Sequence, residues 1–172
     1  AERIKADYRQ RQENMANGLP YFLFIPQMKS GSTAIGNMVS QGFNLTCATY
    51  SFISSRVIEP WARDYWRGGA SYVTHLEPTP VNIDALLESG LKRAVINTRD
   101  PRQLYLSLLH HKVKYRRDFP ELEKSGYFEL SLQERAERDI KEYKAIIAWI
   151  KGWIKAERYG LNLLFTTYEQ FK

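Results

Sequence analysis

Cysteine is all but missing from this chain: Cys47 stands alone in 172 residues, which excludes an internal disulfide and any site built from several thiolates. Taken by itself, Cys47 reads as a small buried apolar side chain. No apolar run approaches the roughly 18 residues of a membrane span, so no membrane span is expected. The Gly-x-x-x-x-Gly-Lys-Ser/Thr loop of ordinary ATPases is also lacking, which weakens a magnesium-dependent nucleotide kinase as a reading. Not one Asp or Glu lies between Gln27 and Ile58. No internal repeat, low-complexity tract or linker divides the sequence, and its length fits a single domain over residues 1–172. The chain begins at Ala1 rather than Met and carries no apolar segment of the signal-peptide type. A cytoplasmic protein with a processed or trimmed start is the expectation.

What the sequence has in excess is positive charge. Its 25 Lys and Arg against 19 Asp and Glu give a formal net charge of +6, a field that favours anionic partners without naming one. Part of that charge sits in Lys112-Val-Lys-Tyr-Arg-Arg117, read here as a solvated face. The same run motivates a competing reading, a non-catalytic domain that binds anions or nucleic acid, for which steep salt dependence would be the mark.

Hydrophobic patterning gives the fold class. Tyr21-Phe-Leu-Phe-Ile25 is a short unbroken apolar run between Pro20 and Pro26, the signature of a strand buried on both faces of a parallel sheet. Ser71-Tyr-Val-Thr-His75, Arg93-Ala-Val-Ile-Asn97 and Leu161 to Thr167 repeat the theme. Between them lie helical segments with legible starts. Thr79-Pro80 and Asp100-Pro101 each supply an N-cap and first helical position, Ser131-Leu-Gln-Glu134 matches a capping box, and Gly90 and Gly160 are placed as stops. Ile140, Tyr143, Ile147, Ile150 and Ile154 predict one face of the longest helix. Ala1 to Asn17 reads as a peripheral helix or arm, and Lys114 to Gly126 as a long loop that would gate an acceptor. Strands alternating with long crossovers predict an α/β domain: a three-layer parallel sheet of about four strands with flanking helices and right-handed connections. Ligands bind such sheets beyond the carboxyl ends of the strands.

Pro26-Gln-Met-Lys-Ser-Gly-Ser-Thr33 falls at that position, between the first strand and the first crossover helix. Gly31 permits close backbone approach, Ser32 and Thr33 bring hydroxyl donors, and Lys29 brings a charge, so the segment suits an anion. An ordinary polar turn is the plainer reading of the same residues. Lys29 precedes Gly31 by two, the reverse of the ATPase order. Asn97-Thr-Arg-Asp-Pro-Arg-Gln-Leu-Tyr-Leu-Ser107 places an arginine at a strand end and a serine eight residues later. Arg99 can fork onto a phosphate while Ser107 turns a hydroxyl toward the same pocket. The alternative for Arg99 is an ion pair with a nearby carboxylate.

Together these segments resemble the sulfotransferases that use 3′-phosphoadenosine-5′-phosphosulfate (PAPS). Lys29 to Thr33 resembles their 5′-phosphosulfate loop, and Arg99 with Ser107 their 3′-phosphate signature. The resemblance implies a P-loop-like α/β fold, with Lys29, Ser30, Gly31, Ser32, Thr33, Arg99, Ser107 and Tyr168 binding the donor. It also implies catalysis by His75, Lys29 and Ser107, and no metal. Val73-Thr-His-Leu-Glu-Pro78 resembles the Lys-Thr-His-Leu-Pro segment of cytosolic members, whose histidine is the general base, a role the unperturbed pKa of imidazole suits. Here Val73 replaces the lysine, and Glu77 is inserted before the proline. Glu77 and Glu59 are the outside candidates for the base, whereas His110 and His111 read as surface or acceptor-side histidines.

Leu163-Leu-Phe-Thr-Thr-Tyr-Glu169 resembles the family's late strand, where the tyrosine helps to hold adenine; packing in the core is the other reading of Tyr168. Ala34 stands where many members have a tryptophan stacked on adenine. Their basic glycine-containing loop, which closes over the 3′-phosphate, has no counterpart before Lys172. The implied acceptor is a small molecule, glycan or lipid with a hydroxyl or amine, met by a wall drawn from Tyr50, Phe52, Trp61, Tyr65 and Trp66. No nucleic-acid partner is expected on this reading.

Overall fold

A computed structural model describes residues 2–48, 63, 66–91 and 93–171. In chain order the elements are α1 (Glu2–Ala16), β1 (Phe22–Pro26), α2 (Ser32–Gly42), β2 (Thr46–Ala48), β3 (Ala70–Val73), α3 (Pro80–Glu88) and β4 (Arg93–Thr98). There follow α4 (Pro101–Lys114), α5 (Pro120–Lys124), α6 (Leu132–Arg138), α7 (Ile140–Ala156) and β5 (Asn162–Thr167). The strands form one sheet in the order β2-β3-β1-β4-β5, and every pairing is parallel. The sheet holds one strand more than the pattern predicts. β2 spans only three residues, too few for a periodicity to register.

Alternation along the strands assigns the two faces. Leu23 and Ile25 of β1, Tyr72 of β3, Ala94 and Ile96 of β4 and Leu163 of β5 pack with Ile83 and Leu86 of α3 and Trp149 and Trp153 of α7. The opposite face takes α2. A Cβ on Gly36 would lie 2.8 Å from Val73 Cγ2, so the glycine allows the helix to lie close on β3, and the Ser40 and Ser71 hydroxyls meet at 2.6 Å. Helices therefore cover both faces of the sheet. Among the described residues, no helix is long and apolar enough to cross a membrane.

The expected caps are present. Thr79 accepts from the backbone N–H of Asn82, Asp100 accepts from that of Arg102, and Ser131 and Glu134 close a capping box. Gly90 and Gly160 adopt the positive φ expected of helix stops. Two expectations are corrected. Residues 115–126 are no long loop: a 3-10 turn at Arg116–Asp118 leads into α5, whose first position is Pro120. The buried stripe of α7 is Ile146, Trp149, Trp153 and Ala156, while Ile140 and Ile154 are about half exposed. Both stripes have helical spacing, and the tryptophans, with the larger apolar area to hide, face the sheet.

α1 docks through its polar residues: Asn14 Nδ2 donates to the carbonyls of Asn44 and Gly69, each at 3.0 Å. Trp66 is expected at the acceptor wall, yet it stands at the amino end of the sheet. It packs on Tyr21 and Tyr72 and donates to Ser89 Oγ at 2.6 Å. The other members of that wall (Tyr50, Phe52, Trp61 and Tyr65), together with Glu59, lie outside the described residues, as does the Cys47 side chain.

Candidate functional site

β1 sits in mid-sheet, and its crossover returns past β3 to the edge strand β2, whereas that of β4 leads outward to β5. The carboxyl ends of β1 and β4 thus flank a topological switch point, where open α/β sheets form their binding crevice. A cavity of about 490 Å³ lies there, lined by Met28, Lys29, Gly31, Ser32, Thr33, Ala34, His75, Arg99, Ser107, His111 and Tyr168.

Strand register accounts for most of that list. Phe24 is level with Val73 and Val95, and Thr98 with Thr167, so each strand leaves the sheet at nearly the same height. Lys29 follows β1, His75 follows β3, Arg99 follows β4 and Tyr168 follows β5. Ser107 and His111 stand one turn apart on α4, a spacing that puts both on one face.

The loop between β1 and α2 is held in a sharp turn by positive φ at Lys29 (66°) and Gly31 (81°). At Lys29 this is an outlier for a residue with a side chain, the kind of local strain that collects at ligand sites. Gly31 is the N-cap of α2 and provides no side-chain cap. The first intrahelical bond runs from Ile35 N–H to the Gly31 carbonyl. The amides of Ser32, Thr33 and Ala34 consequently have no acceptor within the helix and stand at the positive end of its dipole. A side chain at Gly31 would collide with the Tyr168 ring, its Cβ only 2.6 Å from Cδ2.

Ser30 departs from the expected role. It is fully buried, its hydroxyl donates to the Gln27 carbonyl at 2.6 Å, and Asn97 Nδ2 donates to the Ser30 carbonyl at 2.9 Å and to its Oγ at 3.1 Å. The Ser30 side chain faces the sheet and ties down the loop. Asn97 is also fully buried and accepts at Oδ1 from Thr166 Oγ1 at 3.0 Å. Gln27 extends the network, donating to the Ile146 carbonyl and accepting from Thr98 Oγ1. The sequence marks these polar residues only as interruptions of apolar runs.

His75 Nδ1 lies 2.8 Å from the carbonyl oxygen of Pro26. A carbonyl only accepts, so Nδ1 carries the proton and Nε2 of the neutral ring keeps its lone pair. Glu77 does not line the cavity, and partial burial pushes its carboxyl above the ordinary value. Arg99 lies with Cζ 4.7 Å from the centre of the Tyr168 ring. Its Nη2 makes a long bond to Gln103 Oε1, and its enclosed Nε approaches Glu169 Oε1 only to 4.0 Å, beyond hydrogen-bond range. The carboxylate alternative for Arg99 is present as this loose pair, which leaves guanidinium donors available.

His111 is a polar cavity residue to which the sequence reading gives no part in the donor site. Lys29 Nζ donates to its Nδ1 at 3.3 Å. Burial, then the Lys29 charge, hold the His111 ring below its ordinary pKa. Its i+4 spacing from Ser107 is the signal that could have found it. His110 is exposed and does not line the cavity.

The basic run that spans the end of α4 and the 3-10 turn after it is less free than its composition implies. Lys112 is buried against Asp139 Oδ2 at 2.8 Å and Glu142 Oε1 at 2.6 Å, and Arg116 is paired with Glu123. Among the described residues, no group of three or more His, Cys, Asp or Glu side chains is arranged to hold a metal. No family model matches this chain, and no curated protein or solved structure matches it.

Proposed function

We propose that the protein is a sulfotransferase that moves a sulfuryl group from PAPS to a hydroxyl or amine of a small-molecule, glycan or lipid acceptor, within a P-loop-like sulfotransferase fold. One observation carries the reading. Lys29 and the free amides of Ser32 to Ala34 share a cavity with Arg99 and Ser107, so two anion-binding groups stand on neighbouring strand ends. A donor with a 5′-phosphosulfate and a separate 3′-phosphate needs two such groups, and the volume lies within the range of nucleotide-sized pockets. A cytoplasmic location belongs to the same reading, through the resemblance to cytosolic members.

The bound donor would supply an activated sulfuryl group, whose bond to the 5′-phosphate breaks as the acceptor oxygen or nitrogen bonds to sulfur. The chain's own residues do the rest. His75 Nε2 takes the acceptor proton, with the Nδ1 bond to Pro26 holding the ring in the tautomer that can do so. Lys29 and the α2 amides stabilise negative charge on the phosphate that is left. Arg99 and Ser107 hold the 3′-phosphate, and Tyr168 packs beside the base.

The kinase alternative lacks its expected loop, and the nucleic-acid alternative loses Lys112 and Arg116 to ion pairs. Calorimetric titration with adenosine 3′,5′-bisphosphate tests the proposal. Magnesium-independent, one-to-one binding, tighter than that of adenosine 5′-monophosphate, is the expected result. Equal affinity for the two nucleotides would remove the 3′-phosphate site and with it the reading.

A further inference from the structure

The pairing of Lys29 with His111 has no place in the mechanism above. Lys29 comes from the loop after β1, and His111 from the last turn of α4, yet Nζ and Nδ1 stand 3.3 Å apart on the cavity wall. An ammonium has only donors, so the contact requires an unprotonated Nδ1. A protonated ring would bring two cations together, release Lys29 and add a charge to the site. The backbone of Lys29 is already in the left-handed region, so the contact restrains a side chain whose stem starts from an unusual direction.

We propose that His111 is a positioning residue for Lys29, its Nδ1 holding the ammonium at the anion loop and its protonation raising the affinity of that loop for a dianion. The inference rests on reading the cavity as an anion site, and it adds the residue that sets the geometry and pH dependence of that site. The groups that bear on the ring are few. Lys29 and Lys114 oppose its protonation, and Asp118 favours it. His75 and Arg99 share the cavity, and Tyr115 lies ring to ring with His111 at 4.5 Å. Burial and Lys29 disfavour the charged imidazole, so the neutral ring and its contact with Lys29 prevail above the ordinary histidine range. As pH falls below the ordinary histidine range the ring charges, and a bound anion favours the charged form by linkage.

Inorganic sulfate is the probe, because it stays a dianion from pH 5 to pH 8 while phosphates titrate. Its affinity is measured by competition or calorimetry on the full chain carrying His75→Asn, which removes the other imidazole of the cavity. Two further variants separate the roles of His111. His111→Asn keeps an acceptor near the Nδ1 position and cannot charge; His111→Leu removes the acceptor. At pH 8, His111→Leu is expected to weaken sulfate binding about three- to tenfold, the scale of one misplaced charge in a partly exposed site, with His111→Asn near the parent. From pH 8 to pH 5 the parent should gain about three- to tenfold in affinity, and both variants should stay flat. A merely structural His111 predicts variants that lose stability but follow the parent's pH profile, and that result overturns the proposal. Lys29→Ala distinguishes the deeper failure. If it leaves sulfate binding unchanged, or if no sulfate binds, the anion-site reading fails together with the role of His111. If it weakens binding while both His111 variants match the parent at every pH, only the His111 proposal fails.

Discussion

At the scale of single residues, Arg99 and His75 make opposite demands on an experiment. Arg99 is held by a stacked tyrosine and a long bond to Gln103, so its charge is poorly satisfied inside the protein and its removal should act on binding. Arg99→Ala is expected to weaken adenosine 3′,5′-bisphosphate by about 1–3 kcal/mol, as is Lys29→Ala, the scale of a hydrogen bond to a charged group. Deleting the ligand's 3′-phosphate should cost the wild-type protein at least as much and the Arg99→Ala protein clearly less, because only the Ser107 contact is then left to lose. Full additivity in that cycle would place Arg99 outside the 3′-phosphate site. For His75 the separation runs the other way. Asn at this position retains a donor for the Pro26 carbonyl and lacks a basic nitrogen, so donor affinity should hold while turnover falls by roughly 10²–10⁴. Near-normal turnover in His75→Asn, with loss of activity in Glu77→Gln, would move the base role to the carboxylate. The measurement is single-turnover kinetics normalised to folded protein.

At the scale of elements, strand ends and helix starts were legible because local chemistry dictates them. Thr79-Pro80, Asp100-Pro101 and Ser131 with Glu134 each satisfy amides that a first helical turn leaves unpaired, and no tertiary contact is needed to recognise that. The positions of Lys29, Arg99 and Tyr168 beside one another then follow from parallel register. What stayed hidden depends on packing across the chain. The choice of the Trp149 and Trp153 face over the isoleucine face needs a sheet to bury against, and β2 is visible only as a partner of β3. The inward turn of Ser30 needs Asn97, 67 residues away. That last pair gives a prediction about the element that carries the site. Asn97→Ala would strand the Ser30 carbonyl in a dry interior and leave the half-buried Thr166 hydroxyl only its longer bond to the Ile96 carbonyl, at a cost of about 1–3 kcal/mol. It should also loosen the loop that Asn97 pins, so that anion affinity falls although no ligand contact is removed. Thr166→Val, which deletes one bond and leaves Ser30 paired, should cost about 1 kcal/mol. Urea unfolding of both variants decides it. A loss under about 0.5 kcal/mol for Asn97→Ala would mean that the network does not hold the loop.

For the whole molecule, the fold joins its site to its far side through α4, which presents Ser107 and His111 to the cavity and Lys112 to a buried cluster of acids. Two tyrosines close that side of the molecule. Tyr127 donates to Asp139 Oδ2 at 2.5 Å, and Tyr105 donates to the Ala136 carbonyl at 2.6 Å. Burial and the neighbouring carboxylates push Tyr105 up to about 12 and Tyr127 further in the same direction. Burial by itself would lower Lys112, and its bonds to Asp139 and Glu142 overcome that and raise it. All three groups hold their protons more tightly folded than unfolded. Each therefore contributes stability that is complete below its unfolded pKa, about 10 for both residue types, and is lost as pH rises toward the folded value. Melting temperature should change little from pH 8 to pH 9.5 and then fall steeply, because above about pH 10 the unfolded chain releases protons that the folded cluster retains. Tyr127→Phe keeps the ring but has no phenol to ionise. Its melting temperature should start lower at pH 8, for want of the bond to Asp139, and decline less between pH 10 and pH 11.5. Parallel curves for the two proteins would show that the alkaline transition arises elsewhere in the chain, and that the cluster behind α4 does not govern it.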